Sequence, residues 1–152
     1  MKDPYLLPNS FVLKNKLNIT EQVELHQAES AISKAKLFTA EEVKGDFDYN
    51  HLMALHKHIL GDIYDWAGQP RLIDMQKSEP VLSGMSVKYG HYKQIPNEIE
   101  EAINQLKNAN LRNLDSYEQK AEAFSKGFAK LWQVHPFREG NTRTCITFMW
   151  HY

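Results

Sequence analysis

Apolar residues recur at three- and four-residue intervals along most of this chain, a period that favours helices over strands. Val23, Ala28, Ile32 and Ala35 form such a stripe in a helix expected from about Thr20 to Leu37, with Asn18 and Glu21 at capping-box spacing. Leu52, Leu55 and Ile59 share one face of a second helix, expected to start at Asp48 and to stop at Gly61. Ile99, Ala102, Ile103 and Leu106 mark a third, with Pro96 in its first turn, where a helix needs no N–H. Ala121, Phe124, Phe128 and Leu131 mark a fourth, opened by Asp115 and Glu118 as a capping-box pair. It should end near Val134, because Pro136 disfavours helical geometry at His135. A last helix begins near Thr142 and carries Ile146, Met149 and Trp150.

Two stretches break this period. Met1 to Lys16 reads as an irregular arm with Pro4 and Pro8. Arg71 to Tyr92 contains Pro80, Gly84 and Gly90, with weak alternation at Val81, Met85 and Val87, and reads as a loop holding a short β-hairpin. The expectation is an all-α fold with one hairpin, in a single domain over residues 1–152. At 42% apolar and 11% aromatic, the chain can fill a sizeable core. The last helix, about three turns long at the α-helical rise, is expected to be cut short at Tyr152.

Charge and cysteine content narrow the partners. The chain has 18 basic and 19 acidic residues, and its net charge of -1 gives no electrostatic reason to expect nucleic acid or an anionic membrane. A lone cysteine, Cys145, allows no disulfide within the chain and fits a reducing compartment. Residues 1–10 do not read as a secretory signal, and no apolar run approaches the roughly 18 residues a bilayer needs. A soluble, cytoplasmic protein is expected, with delivery into another cell by a route without a cleaved signal left open.

The chemistry concentrates in His135-Pro-Phe-Arg-Glu-Gly-Asn-Thr-Arg143. One helix ends there and another begins. Gly140 lets a ligand approach the backbone. Asn141 and Thr142 fall in the new helix's first turn, whose N–H groups lack helical partners and suit a phosphate. Arg143 adds a fork of donors for phosphate oxygens, and Glu139 a hard oxygen ligand for Mg²⁺ shared with phosphates. His135 titrates near neutrality and can take a proton from an attacking hydroxyl. Singly, each has an ordinary explanation: a packed histidine, a solvated glutamate, a turn glycine, a surface arginine. Within nine residues they supply a base, a metal ligand and an anion cradle.

The segment His135-Pro136-Phe137-Arg138-Glu139-Gly140-Asn141, followed by Arg143, resembles the signature of the Fic family of adenylyltransferases. Leu55 to Gly68, ending in Trp66-Ala67-Gly68, is similar to a helix end and turn upstream in that family. Asp3-Pro4-Tyr5 and Leu13-Lys14-Asn15-Lys16-Leu17 also resemble Fic amino-terminal regions. The resemblance implies a Fic-type helical bundle with a hairpin flap. It implies an enzyme that moves AMP from ATP to a Ser, Thr or Tyr hydroxyl of a target protein, releasing pyrophosphate. His135 would be the base, and Glu139 would hold Mg²⁺. Arg138, Glu139, Gly140, Asn141, Thr142 and Arg143 would line the nucleotide, with Lys77 reaching it from the flap. Phe137 would be buried to fix the loop, and His56 would pack beneath it. Arg71 to Tyr92 would align the target segment by strand addition.

Two other readings stay open under that resemblance. The same fold could transfer UMP or phosphocholine, or it could be a catalytically silent regulatory module that keeps the nucleotide pocket. Thr142 stands where the family most often has glycine, and its Cβ crowds the phosphate path. Thr20 and Glu24 have the spacing of the family's silencing motif, but Leu25 follows where Gly or Asn is expected, and the match reads as coincidence. An inhibitory helix is expected beyond Tyr152 or on a separate antitoxin chain, and self-modification is a further expectation. His51, His56 and His58 lack the i, i+4 pairing of zinc helices and are read as structural. Trp66, Trp132 and Trp150 are read as core, and Cys145 as a buried thiol without a nucleophilic role.

Overall fold

The computed structural model describes residues 3–78 and 86–152 of the chain. Five helices dominate it: α1 (Gln22–Leu37), α2 (Tyr49–Leu60), α3 (Ile95–Asn108), α4 (Tyr117–Val134) and α5 (Asn141–His151). Strands β1 (Gln76–Ser78) and β2 (Ser86–Lys88) pair antiparallel, with Lys77 opposite Val87. The expected helical fold with a hairpin is therefore present. The expectations at Pro80, Val81, Gly84 and Met85 lie outside the described residues.

Helix α2 is the hub. Asp48 caps it, accepting the His51 N–H at 2.8 Å, as its sequence position suggests. It packs against α1, α3 and α5, and α3 packs against α4. One face of α2 (Leu52, Leu55) meets Ile95, Ile99 and Leu106 of α3, Leu131 and Val134 of α4, and Cys145 and Phe148 of α5. Its far end (Ile59, Leu60) joins a second cluster with Leu25 of α1, Tyr64, and Tyr5, Val12 and Leu13 of the arm. The arm is held to the body by backbone, since the Lys16 N–H donates to the Ile63 carbonyl at 2.8 Å.

Several sequence expectations shift on inspection. The start of α1 carries no capping box: Glu21 is the cap residue and its side chain makes no capping bond. Its buried face is Leu25, Glu29 and Ser33, whereas Val23 and Ala35 are exposed. That face is rotated because two polar residues point inward to partners described below. At α4 the capping box exists one residue later than expected, as Ser116 with Gln119. Only the last turns of α4 are deeply buried; Ala121 and Phe124 are exposed, and the burial falls on Leu131 and Val134. On α5 the buried face is Cys145, Phe148 and Met149, while Ile146 and Trp150 face outward, Trp150 at 82% exposure. Trp66 and Trp132 are half-buried. Cys145 is fully buried, which pushes its thiol up to about 12 and removes it as a nucleophile at neutral pH. No helix among the described residues is long and apolar enough to cross a membrane.

Candidate active site

The loop between α4 and α5 is fastened from within. α4 stops because Pro136 excludes helical backbone at His135, which instead adopts left-handed φ 52°, ψ 62°. A non-glycine residue held there costs on the order of 1–3 kcal/mol, so the surroundings must enforce it. The His135 ring stacks on Tyr89, centroids 3.8 Å apart and planes 10° from parallel, and meets the edge of Trp132 at 5.5 Å. Tyr89 directly follows β2, so the hairpin packs on the expected base.

Phe137 is fully buried, and its ring lies flat on His56 at 3.7 Å. Asn141 closes the loop into a ring: its Oδ1 accepts the Phe137 N–H at 2.8 Å and its Nδ2 donates to the Phe137 carbonyl at 2.7 Å. The Asn141 side chain thus gives one donor and one acceptor to the loop itself. Gly140 has φ 77°, a conformation that favours glycine, and a Cβ there would lie 2.4 Å from Leu60 Cδ1, so that buried methyl would have to shift.

His56 supports this loop from below, as the resemblance implies. Its Nδ1 accepts the Gly68 N–H at 2.8 Å, which leaves Nε2 to carry the proton it donates to the Glu139 carbonyl at 2.9 Å. Burial drives its pKa down to about 4, outweighing the opposing effect of that carbonyl, so the ring is neutral. Trp66-Ala67-Gly68 thus has a physical role: its turn presents the N–H that selects the His56 tautomer.

Above this floor the chemistry-bearing groups converge. His135, Glu139, Thr142 and Arg143 line one cavity of about 820 Å³, whose far wall is the root of the hairpin, including Ile73 and Tyr92. Glu139 is half-buried, and its Oε1 accepts the Gly140 N–H at 2.9 Å. The N–H groups of Asn141, Thr142 and Arg143 occupy the first turn of α5, where helix geometry provides no acceptor. Thr142 sits exposed at the mouth, its Oγ1 accepting the Trp132 Nε1–H at 2.9 Å.

Two arginines are engaged by partners that the sequence did not reveal. Arg138 lines the cavity, but its Nε and Nη2 both donate to Asp3 Oδ2, at 3.1 and 2.8 Å. Arg143 donates from Nη1 to Ser33 Oγ at 2.6 Å and forms an ion pair through Nη2 with Glu29 of α1. The Tyr64 hydroxyl donates to the other Glu29 oxygen at 2.5 Å; burial first, and then that carboxylate, raise its pKa. Three N–H bonds of the Arg143 fork remain for a ligand. Glu24, of the coincidental silencing spacing, is exposed on another face of α1. Lys77 lies in β1 opposite Val87, and its side chain lies outside the described residues. The cue for Glu29 and Ser33 was present as Leu25-x₃-Glu29-x₃-Ser33, a mixed stripe at i, i+4 spacing that apolar counting passes over.

Comparison with known proteins bears on the family and the fold. The model of the Fic/DOC family matches residues 46–152. The chain is 37% identical over 153 residues to "Protein adenylyltransferase VbhT" of Bartonella schoenbuchensis, covering 97% of this chain and 30% of that protein. It is 36% identical over 155 residues to "Probable protein adenylyltransferase y4lH" of Sinorhizobium fredii, covering 98% and 74%. Among solved structures, the BepC effector of Bartonella tribocorum with bound AMPPNP superposes with a TM-score of 0.79 at 23% identity, over 95% of this chain and 74% of that one. That last likeness speaks to the fold.

Proposed function

Because this chain belongs to the Fic/DOC family, we propose that it transfers AMP from ATP to a Ser, Thr or Tyr hydroxyl of a protein. The observation that carries this reading is the convergence of His135, Glu139 and the first-turn amides of α5 on one cavity of about 820 Å³, a size suited to a nucleotide. In this scheme His135 takes the proton of the target hydroxyl, and the freed oxygen forms a bond to the α-phosphorus. The bond from that phosphorus to the bridging oxygen breaks, and pyrophosphate leaves with the electron pair. The N–H groups of Asn141, Thr142 and Arg143 stabilise the phosphate charge, with help from the helix dipole. The free part of the Arg143 fork takes an outer phosphate. Arg138 frames the entrance with Asp3, and Lys77 of β1 is a further candidate to bind the nucleotide.

The residues fit a magnesium ion held mainly by its substrate. Among the described residues no group of three His, Cys, Asp or Glu side chains gathers to cage a metal, whereas Glu139 offers one carboxylate at the cavity wall. Mg²⁺ commonly binds through one or two carboxylates together with substrate phosphates and water. Bound there, it would offset phosphate charge.

The target protein is the implied partner, and the chain's own hydroxyls are a second acceptor. Control by an inhibitory antitoxin chain, and a site of action in the cytoplasm or in a cell into which the protein is delivered, complete the proposal. The relative of known structure from Bartonella tribocorum is described as a VirB-translocated effector. The test is self-labelling with ATP radiolabelled at the α-phosphate, with and without Mg²⁺, beside His135→Ala. Label on the wild type alone, dependent on Mg²⁺, is the expected result. Equal label on His135→Ala would remove His135 as base, and label only from a γ-labelled donor would replace AMP transfer by phosphoryl transfer.

A further inference from the structure

Arg71 is one of the largest fully buried side chains, at 1% exposure, and the chemistry above makes no use of it. Burying a guanidinium is costly unless its donors are satisfied. Among the described residues, four of its five N–H groups go to backbone carbonyls, from two separate parts of the molecule. Nε donates to the His135 carbonyl at 2.8 Å and Nη2 to the Val134 carbonyl at 3.3 Å, both at the end of α4. Nη1 donates to the Ile73 carbonyl at 2.6 Å and Nη2 also to the Gly90 carbonyl, one at each root of the hairpin. The Arg71 backbone N–H adds a bond to the Pro136 carbonyl at 2.7 Å. Asp74 Oδ1, 3.7 Å from Nη1, is the nearby carboxylate.

We propose that Arg71 is a positioning residue that pins the backbone of the base His135 to both roots of the hairpin, so that base and target-bearing strand keep one register. It acts through His135 and touches no substrate. The proposal rests on the AMP-transfer reading for its catalytic consequence, but the pinning itself does not. The position needs arginine: a planar fork reaches several carbonyls at once, whereas a lysine ammonium is a compact charge on a flexible stem. The positive charge also lies at the carbonyl end of α4, where the helix dipole favours it. The left-handed His135 backbone is thereby held by a side chain sixty-four positions earlier in the chain. Tyr89, stacked on the His135 ring and adjacent to Gly90, moves with the same unit.

The test compares wild type with Arg71→Lys in the full chain by three readouts: self-labelling rate against ATP concentration, the His135 ring signals in histidine ¹H–¹⁵N spectra, and thermal unfolding. At a temperature where both are folded, Arg71→Lys should lower the maximal rate by about tenfold or more, since misplacement of about 1 Å can cost that much. The ATP concentration for half-maximal rate should stay within about twofold, because the phosphate-binding turn is untouched. The His135 ring signals should shift while those of His56 hold. An unchanged rate and unchanged His135 signals would overturn the proposal, as would a loss carried by ATP affinity alone. If wild type transfers nothing, the function reading fails, and the His135 shift still decides the pinning. If Arg71→Lys does not fold, amide hydrogen exchange in wild type decides: Arg71 and Gly90, whose N–H groups donate to Pro136 and Gln133, should open at a common rate. Rates differing by about tenfold or more would mean that the two hairpin roots open independently of one another, against the proposal.

Discussion

Helices α1 and α3 are of similar length, 16 and 14 residues, yet they bury opposite kinds of surface. α3 turns Ile95, Ile99, Ala102, Ile103 and Leu106 into the core, a stripe that packing alone explains. α1 turns Leu25, Glu29 and Ser33 inward, and the two polar members exist to meet Arg143 and the Tyr64 hydroxyl. One helix holds the fold together. The other shapes the cavity from behind, and its position depends on charge and hydrogen bonds as well as on apolar area.

That contrast can be tested from its strongest side. Ile99→Ala should lower unfolding free energy by about 3 kcal/mol, the usual range for a buried isoleucine truncated in a core. Labelling by the folded fraction should stay near wild type; urea unfolding with an activity assay checks both. A loss of activity beyond the unfolded fraction would mean that α3 also shapes the site.

The next effect is a pH dependence on the floor of the site. The His56 pKa falls from 6.5 to about 4 on folding, because burial disfavours the charged ring. As pH drops below 6.5, the unfolded chain takes up this proton first, so the folded state loses ground. About 3 kcal/mol of stability, complete above that value, should drain away toward the folded pKa. Urea midpoints measured across that window should slope in wild type and flatten in His56→Gln. An equal slope in the variant would assign the effect to other groups.

Glu29→Ala should cost less stability, about 2 kcal/mol, since the side chain of Arg143 keeps 31% exposure and water can partly replace the carboxylate. Its signature should be functional: weaker ATP binding by isothermal titration, because the Arg143 fork loses its fixed direction. Tighter binding would instead make Glu29 a competitor of the phosphates for Arg143, and would redraw α1 as a restraint on the site.

How much of this could be read from the chain depends on the range of the interactions. His135 to Arg143 was legible as a site because its groups are neighbours in sequence and the turn geometry is local. Pro136 stops one helix, and Gly140 opens the next. The rotated face of α1 was not legible, because Glu29 and Ser33 are polar and their partner Arg143 lies more than a hundred residues away. Asn141 was expected to line the nucleotide, and it does line the cavity; the clasp its side chain makes on Phe137 was not legible. The outward turn of Trp150 and Ile146 was missed because α5 has apolar residues on both faces, and only its packing against α2 and α4 selects one.

The sequence by itself determined the helices, the breaks between them and the nine-residue loop that forms the candidate site, since period, proline and glycine act over a few residues. Only the tertiary structure decided which face of α1 is buried, which tautomer His56 adopts, and that Arg71 joins the His135 backbone to the hairpin. Those outcomes follow from satisfying buried polar groups with partners far along the chain, and such partners become neighbours only once the helices have packed.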